Sequence, residues 1–168
     1  MDLIDACIRG NIGDVQQLLD CGRSPDIKDG YGKTPLIYAS IFGHIEIAEL
    51  LLATGESRPE HQDNDLRTVL IYASKNGYIE IVELLLNTGQ SHPEYQDKYG
   101  FTALMYVSLN GHTEIVELLL DSQQSHPEYQ NNDGKTALDI ARENGHTKIV
   151  KLIEEYKPID AKFAGKRK

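Results

Sequence analysis

A repeat of 34 residues runs through most of this chain and constrains its fold more than any other feature. A threonine opens and a glycine closes the same block in each copy, at Thr34, Thr68, Thr102 and Thr136 and at Gly43, Gly77, Gly111 and Gly145. A period of this length is typical of short supersecondary units that stack side by side and share one continuous core. The repeat therefore predicts a stack of units rather than a globule folded around a single pocket.

Each copy contains two helical patterns separated by a glycine. The first extends from about Thr34 to Phe42, where Thr34 can cap the free N–H groups at the start and Gly43 ends the helix. The second extends from about Glu46 to Ala53 and carries a broad apolar face. Both helices are too short to be stable alone in water, so each copy needs its neighbours. A connector containing Pro, Asp and Gly turns tightly and leads back to the next threonine.

These motifs resemble the ankyrin repeat, as residues 32–36 (Gly-Lys-Thr-Pro-Leu) and 111–120 (Gly-His-Thr-Glu-Ile-Val-Glu-Leu-Leu-Leu) illustrate. The resemblance covers roughly the first 156 residues. It implies an all-α solenoid of helix–loop–helix units with projecting β-hairpin fingers. We count five units, at about 1–30, 31–64, 65–98, 99–132 and 133–158, of which the first and last carry the extra polar residues of capping units. Residues 159–168 form a basic segment that we expect to be a frayed tail.

Two departures from the family pattern concern the connections between units. The internal period exceeds the usual ankyrin period of about 33 residues by one, and the extra residue falls in segment 56–62 and its copies. The simplest interpretation is that Pro and Tyr or His fill packing positions between units there. The family's histidine after Thr-x-Leu, which ties neighbouring fingers together, is replaced by Ile37, Ile71, Met105 and Asp139. We therefore expect apolar packing and the longer connector to join the fingers.

A third departure is the loss of two glycines. Leu66 stands where other units have the glycine of the finger turn, and Gln123 stands where they have the glycine that ends the second helix. A non-glycine residue with a positive φ angle costs about 1 kcal/mol. Either these loops change shape or they tolerate the strain, and we expect a changed finger tip at Leu66.

Charge and cysteine content narrow the classes of function. The net charge is −9, and the chain carries four basic residues in its last seven positions, at Lys162, Lys166, Arg167 and Lys168. The rest of the chain is therefore strongly acidic, which argues against nucleic acid as a partner. No apolar run approaches the about 20 residues of a membrane span, and acidic residues near the start argue against a signal peptide. Cys7 and Cys21 fit packing positions, which is typical of reduced thiols; we expect a cytoplasmic protein, with nuclear import left open by the basic end.

The candidate catalytic groups follow the repeat and are explained by it. His44, His112 and His146 each come directly after the glycine between the two helices, so we assign them to the scaffold. His92 and His126 recur in the connector at a position where the second unit has an arginine, which cannot bind a metal. The repeated glutamate pairs of the second helices indicate a solvated face. We therefore predict no catalytic residue, no metal and no cofactor, and we do not expect an enzyme.

The resemblance implies that a partner docks in a concave groove formed by the finger tips and the ends of the first helices. In this chain those positions hold large apolar side chains with charged groups among them, the composition of a protein interface. We predict that the partner-binding residues are Tyr31, Lys33, Ile41, Phe42, Asp65, Arg67, Lys75, Lys98, Tyr99, Phe101, Leu109, Asn110 and Lys135, with Phe42 and Phe101 as the central anchors.

The function predicted from these residues is that of a monomeric, non-catalytic interaction module or adaptor that binds another protein or peptide. A second hypothesis is a structural spacer or self-associating scaffold, whose mass in light scattering would rise with concentration. A third, an enzyme, would require a cleft holding buried acidic groups with perturbed pKa values.

Overall fold

The computed structural model describes residues 2–157, which form ten α-helices and contain no β-strand. The helices are α1 (Leu3–Arg9), α2 (Ile12–Asp20), α3 (Pro35–Phe42), α4 (Ile45–Ala53), α5 (Val69–Asn76), α6 (Ile79–Asn87), α7 (Ala103–Asn110), α8 (Thr113–Asp121), α9 (Ala137–Glu143) and α10 (Thr147–Glu155). Consecutive helices pair, and the pairs stack in chain order. The predicted all-α repeat solenoid is confirmed. The exact unit limits stay a prediction, and the expected frayed tail at 159–168 lies outside the described residues.

The first helices of the inner pairs begin and end as the repeated threonines and glycines predict. Thr34 caps α3 by accepting a hydrogen bond from the Ile37 N–H at 3.3 Å, and Gly43 closes the helix with a φ of 75°. A side chain at Gly43 would also meet the ring of Tyr78 from the next pair, whose nearest atom lies 2.5 Å from an ideal Cβ. Glycine is therefore required here both by the backbone angle and by the close approach of the following unit.

The histidines that follow these glycines belong to the scaffold, as predicted. The imidazoles of His44, His112 and His146 cover the glycine of the preceding pair. Each Nε2 also lies near a carbonyl oxygen of that pair, at 3.4 Å from Ile8, 3.3 Å from Lys75 and 3.1 Å from Leu109. These rings therefore connect neighbouring pairs.

The core runs along the whole stack between the two layers of helices. Its largest fully buried side chains are Leu3, Leu36, Ile37, Ile47, Leu51, Leu70, Ile71, Ile81, Leu85, Leu104, Met105 and Ile115. The first helices of successive pairs (α1, α3, α5, α7, α9) lie closer to one another than the second helices do. The family resemblance predicts that the stack curves toward the first helices, and we call the side formed by these helices and the fingers the concave side. No helix within residues 2–157 is both long and apolar enough to cross a lipid bilayer.

The fingers are tight hydrogen-bonded turns. In the first, the Asp29 N–H donates to the Lys33 carbonyl at 3.1 Å and the Gly32 N–H donates to the Asp29 carbonyl at 3.0 Å. The expected change of shape at Leu66 is wrong. Leu66 keeps the positive φ angle, at 62°, and its N–H donates to the Asp63 carbonyl at 2.9 Å as in the other fingers. The turn tolerates the strain because its hydrogen bonds are retained; Gln123, with a φ of 59°, does the same.

Neighbouring fingers are joined by hydrogen bonds, so the expectation of apolar packing at this place is wrong. The Asn64 backbone N–H donates to the Tyr31 carbonyl at 3.0 Å, and its side-chain amide donates to the Gly30 carbonyl at 3.1 Å. Asn132 repeats both contacts with the finger before it. An asparagine amide thus joins the second finger to the first and the fourth to the third, whereas Lys98 of the third finger pairs with Asp65 of the second.

The longer connector packs partly into the stack. Ser57, Pro59, Ser91, Pro93 and Ser125 are buried. Tyr129 is half-buried and packs against the core. The imidazoles of His92 and His126 stack on the rings of Tyr95 and Tyr129, with ring centroids 4.7 Å and 4.8 Å apart. Packing therefore accounts for the recurring residues of this segment.

Candidate protein-binding surface

Each of the first three fingers begins with an aspartate, Asp29, Asp63 or Asp97, whose carboxylate binds the backbone of the turn. One oxygen of Asp97, Oδ1, accepts hydrogen bonds from the backbone N–H groups of Tyr99 and Phe101 at 2.9 and 3.0 Å. The other, Oδ2, accepts the hydroxyl of Tyr106 at 2.6 Å. Asp29 and Asp63 make the same contacts with Tyr38 and Tyr72. This aspartate–tyrosine pair was missed by the sequence reasoning, although both residues recur at the period of the repeat.

A cation from the preceding finger completes the arrangement. Arg67 donates from Nε to Oδ2 of Asp97 at 3.2 Å, and Lys33 Nζ lies 3.5 Å from Oδ2 of Asp63. The side chains of these two aspartates are 0% and 1% exposed. Burial of an unpaired carboxylate would be costly, so each cation offsets that cost. Lys33 and Arg67, predicted to contact a partner, are therefore engaged in holding consecutive fingers together.

The tyrosine hydroxyls are tightly held in this network. Burial, followed by the hydrogen bond to the neighbouring carboxylate, raises the pKa of Tyr38 and of Tyr106 to about 12 from the ordinary value of 10.0. The hydroxyls therefore remain protonated donors at neutral pH, which is the state that the aspartates require.

The network ends at the fourth finger, where three of its positions change together. Asn131 replaces the aspartate, Phe101 stands at the cation position before it, and Ile140 replaces the tyrosine. The Asn131 side-chain oxygen still accepts the two N–H groups of the turn, at 3.0 and 2.9 Å. Without a carboxylate there is no charge for a cation to offset. Phe101 instead packs its ring on that of Tyr106, with centroids 5.0 Å apart, and is half-buried.

Other predicted contact residues also bond within the protein. Lys98 pairs with Asp65 at 2.7 Å, and Lys135 pairs with Glu143 at 2.6 Å. The Asn110 amide donates to the Lys75 carbonyl at 2.8 Å. Ile41 is half-buried against the core. The charged or polar groups of Lys98, Lys135 and Asn110 are therefore partly committed to contacts within the protein.

The large apolar side chains at the same surface remain exposed. Tyr31 and Tyr99 on the finger turns are 69% and 50% exposed, and Phe42 and Leu109 at the helix ends are 45% and 39% exposed. Leu66, 48% exposed on a finger turn, belongs with them. The signal for Leu66 was present in the sequence as a leucine at a glycine position. We call these five residues, Tyr31, Phe42, Leu66, Tyr99 and Leu109, the concave apolar set.

Cys7 and the connector histidines are held by their surroundings in the fold. Cys7 is buried, and burial together with the nearby Asp2 raises the pKa of its thiol to about 12. The reactive thiolate is therefore scarce at neutral pH. Within residues 2–157 no three His, Cys, Asp or Glu side chains are grouped so as to hold a metal ion. His92 and His126 pair with Glu94 and Glu128 of their own connectors.

The helix pairs, the closing glycines and the hydrogen-bonded fingers define a repeat solenoid, and comparison with known proteins assigns its family. A family model described as ankyrin repeats in three copies matches residues 3–97 and 89–162. The chain belongs to the ankyrin repeat family. Ankyrin repeats are generally protein–protein interaction modules, and the family is typically non-catalytic.

Curated relatives match shorter stretches. The chain is 56% identical over 41 residues to the putative ankyrin repeat protein YahD of Escherichia coli (strain K12), which is 24% of this chain and 20% of that protein. It is 40% identical over 58 residues to ankyrin repeat, SAM and basic leucine zipper domain-containing protein 1 of Atelerix albiventris and of Neofelis nebulosa, covering 34% of this chain and 12% of each relative. The matched stretches are thus a fifth or less of these relatives' length.

Proposed function

We propose that this chain is a non-catalytic, monomeric module that binds another protein through its concave surface. The observation that carries the proposal is the concave apolar set. The scaffold positions around it are occupied by the aspartate, tyrosine and cation network, whereas these side chains lie at the surface, from 39% exposed at Leu109 to 69% at Tyr31. Large apolar side chains surrounded by polar groups are the usual energetic centre of a protein interface.

The distribution of charge supports a protein partner over a nucleic acid. Each inner second helix carries two exposed glutamates, at Glu46 and Glu49, Glu80 and Glu83, and Glu114 and Glu117. On the concave side, four of the cations pair with acidic side chains of the protein itself. Phosphate binding uses basic side chains to neutralise the charge of the backbone, and these four are already paired. A cytoplasmic location is part of the same proposal.

Quantitative affinity purification tests this function. Wild-type protein and the double variant Phe42→Ser/Leu109→Ser would each be used to capture proteins from cell extract, followed by mass spectrometry. Ile12→Ser is the matched control, because Ile12 is equally exposed, at 47%, but starts a second helix away from the concave side. We expect one or more proteins to be retained by the wild type and the control and lost from the double variant. Equal capture by all three would contradict binding at this surface.

Light scattering tests the self-associating alternative. The proposed monomer keeps a constant mass as its concentration rises. If the mass of the wild type increases with concentration while that of Phe42→Ser/Leu109→Ser stays constant, the surface binds a second copy of this chain and not a different protein.

A further inference from the structure

Charge is unevenly distributed between the two layers of helices. The inner first helices α3, α5 and α7 contain one Lys, Arg, Asp or Glu among them, and this is Lys75. The second helices paired with them carry two exposed glutamates each. An acidic protein thus presents a single cation at the middle of its concave helix layer, and the acidic groups of these inner pairs lie on the opposite side.

The ammonium group of Lys75 differs from the other concave cations in its partners. Lys33, Arg67, Lys98 and Lys135 each pair with an acidic side chain. Among residues 2–157 no acidic side chain lies within ion-pair distance of Lys75, whose Nζ is 5.3 Å from the centroid of the Tyr106 ring. Lys75 is half-buried in the last turn of α5. Its charge is therefore held at the surface and is available to an anionic group from outside.

The ends of the three inner helices place Lys75 between two apolar groups. The Asn76 amide donates to the Ile41 carbonyl at 3.0 Å, and the Asn110 amide donates to the Lys75 carbonyl at 2.8 Å. These bonds hold the last turns of α3, α5 and α7 side by side. Ile41 of α3 and Leu109 of α7 stand at the position of Lys75 in the two neighbouring helices, and Phe42 follows Ile41 at the end of α3. Along the stack, these helix ends therefore present an apolar, then a cationic and then an apolar side chain, and we call them the helix-end row.

We infer that this row binds an extended segment of a partner protein in which one Asp or Glu is flanked on both sides by apolar residues. The inference rests on the proposed function and names the chemistry of the partner. Packed helices lie about 8–10 Å apart, and an extended chain advances about 3.3–3.6 Å per residue. The acidic residue therefore lies about two to three positions from each apolar residue. Its carboxylate contacts the Lys75 ammonium, and the apolar side chains contact Leu109 on one side and Ile41 with Phe42 on the other.

Selection from a random peptide library tests this inference. Peptides of about 12 residues, long enough to cross the row when extended, would be displayed on phage and selected on immobilised wild-type protein, Lys75→Gln, Lys75→Glu and the control Ile12→Ser. Lys75→Gln removes the charge and keeps a polar, unbranched side chain that is one bond shorter. Circular dichroism checks that every variant retains the helical content of the wild type.

We expect the wild type and Ile12→Ser to select peptides with one acidic residue between two apolar residues at this spacing. The consensus peptide should bind Lys75→Gln at least about tenfold more weakly, since a charge-assisted contact is lost. Lys75→Glu should select a basic residue at the same position. Peptides without an acidic residue, or the same acidic peptides selected by Lys75→Glu, would overturn the inference, as would a wild-type protein that selects no peptide.

The outcome is separable from that of the proposed function. If Phe42→Ser/Leu109→Ser still loses a captured cellular protein while the selected peptides lack the acidic residue, the concave surface binds its partner through other chemistry. If the double variant loses nothing, the proposed function itself fails.

Discussion

Arg67 donates from its Nε to the carboxylate of Asp97 at 3.2 Å and so joins two consecutive fingers. The Asp97 side chain is 0% exposed, and it also accepts the Tyr106 hydroxyl and two backbone N–H groups. A buried carboxylate is tolerated when donors surround it on all sides and a cation offsets its charge. Arg67, which the sequence predicts to contact a partner, thus stabilises the packing of two consecutive fingers.

Removing the tyrosine hydroxyl from this network should destabilise the protein. In Tyr106→Phe the ring packing is kept and the hydrogen bond to Asp97 is lost, so we expect the free energy of unfolding to fall by about 1–3 kcal/mol. Urea unfolding followed by circular dichroism measures the change. Tyr31→Phe is the control, because Tyr31 is 69% exposed and a change at such a site stays within about 0.5 kcal/mol. Equal stability of Tyr106→Phe and wild type would contradict the role of the hydroxyl.

The aspartate–cation pair can be extended to the fourth finger. Asn131→Asp alone should be destabilising, since Asn131 is 5% exposed and its new charge has no cation opposite. Adding Phe101→Arg should offset that loss, and the two changes should show a favourable coupling of about 0.5–3 kcal/mol in a double-mutant cycle. Phe101→Gln in the same cycle is the uncharged control. A coupling as large with glutamine as with arginine would mean that charge is not what joins the fingers.

Leu66 should be replaceable by glycine with a gain in stability. Its φ of 62° lies in the left-handed region, where a non-glycine residue costs roughly 1–2 kcal/mol that is partly offset by glycine's greater freedom in the unfolded chain. We expect Leu66→Gly to raise the free energy of unfolding by about 1 kcal/mol. Leu109→Gly, a similar exposed change inside helix α7, should lower it. A loss of stability in Leu66→Gly would show that the leucine side chain stabilises the turn by contacts of its own.

The cap of helix α9 should respond to acid. Hydrogen bonds from the backbone and then the hydroxyl of Thr136 hold the pKa of Asp139 below its usual value of 3.8. A lowered pKa in the folded state stabilises the protein above the unfolded pKa, and the effect disappears as the pH falls through the folded pKa. We expect Asp139→Asn to cost about 0.5 kcal/mol near neutral pH, because the carboxylate lies close to solvent. The difference should vanish well below about pH 4, and a difference that persists there would contradict this origin.

The features set by local sequence could be predicted, because the repeat places the same residue in the same environment several times. The capping threonines, the closing glycines and the histidines that cover them all lie where the 34-residue period put them. Each of these residues makes its contacts within its own unit or with the adjacent unit, always at the same separation in sequence. A contact of this kind is visible as a recurring residue even when its partner is not known.

The features that depend on a pair of distant residues could not be predicted in the same way. Arg67 and Asp97 are 30 residues apart, and neither residue alone indicates the pairing. The signal was the joint change to Phe101, Asn131 and Ile140 in the fourth finger. At Leu66 the carboxylate of Asp63 accepts the N–H groups of Asp65 and Arg67. These bonds hold the turn in its usual shape and outweigh the preference of leucine for another conformation.

Site-specific photo-cross-linking in cells tests binding at the concave surface most directly. A photoreactive phenylalanine analogue would replace Phe42 or Tyr99 in the concave apolar set, and Ile12 or Glu83 on second helices as controls. We expect irradiation to produce discrete conjugates with a different protein from the first two positions and none from the controls. Conjugates formed only from Ile12 or Glu83, or only between two copies of this chain, would contradict a partner protein at the concave surface.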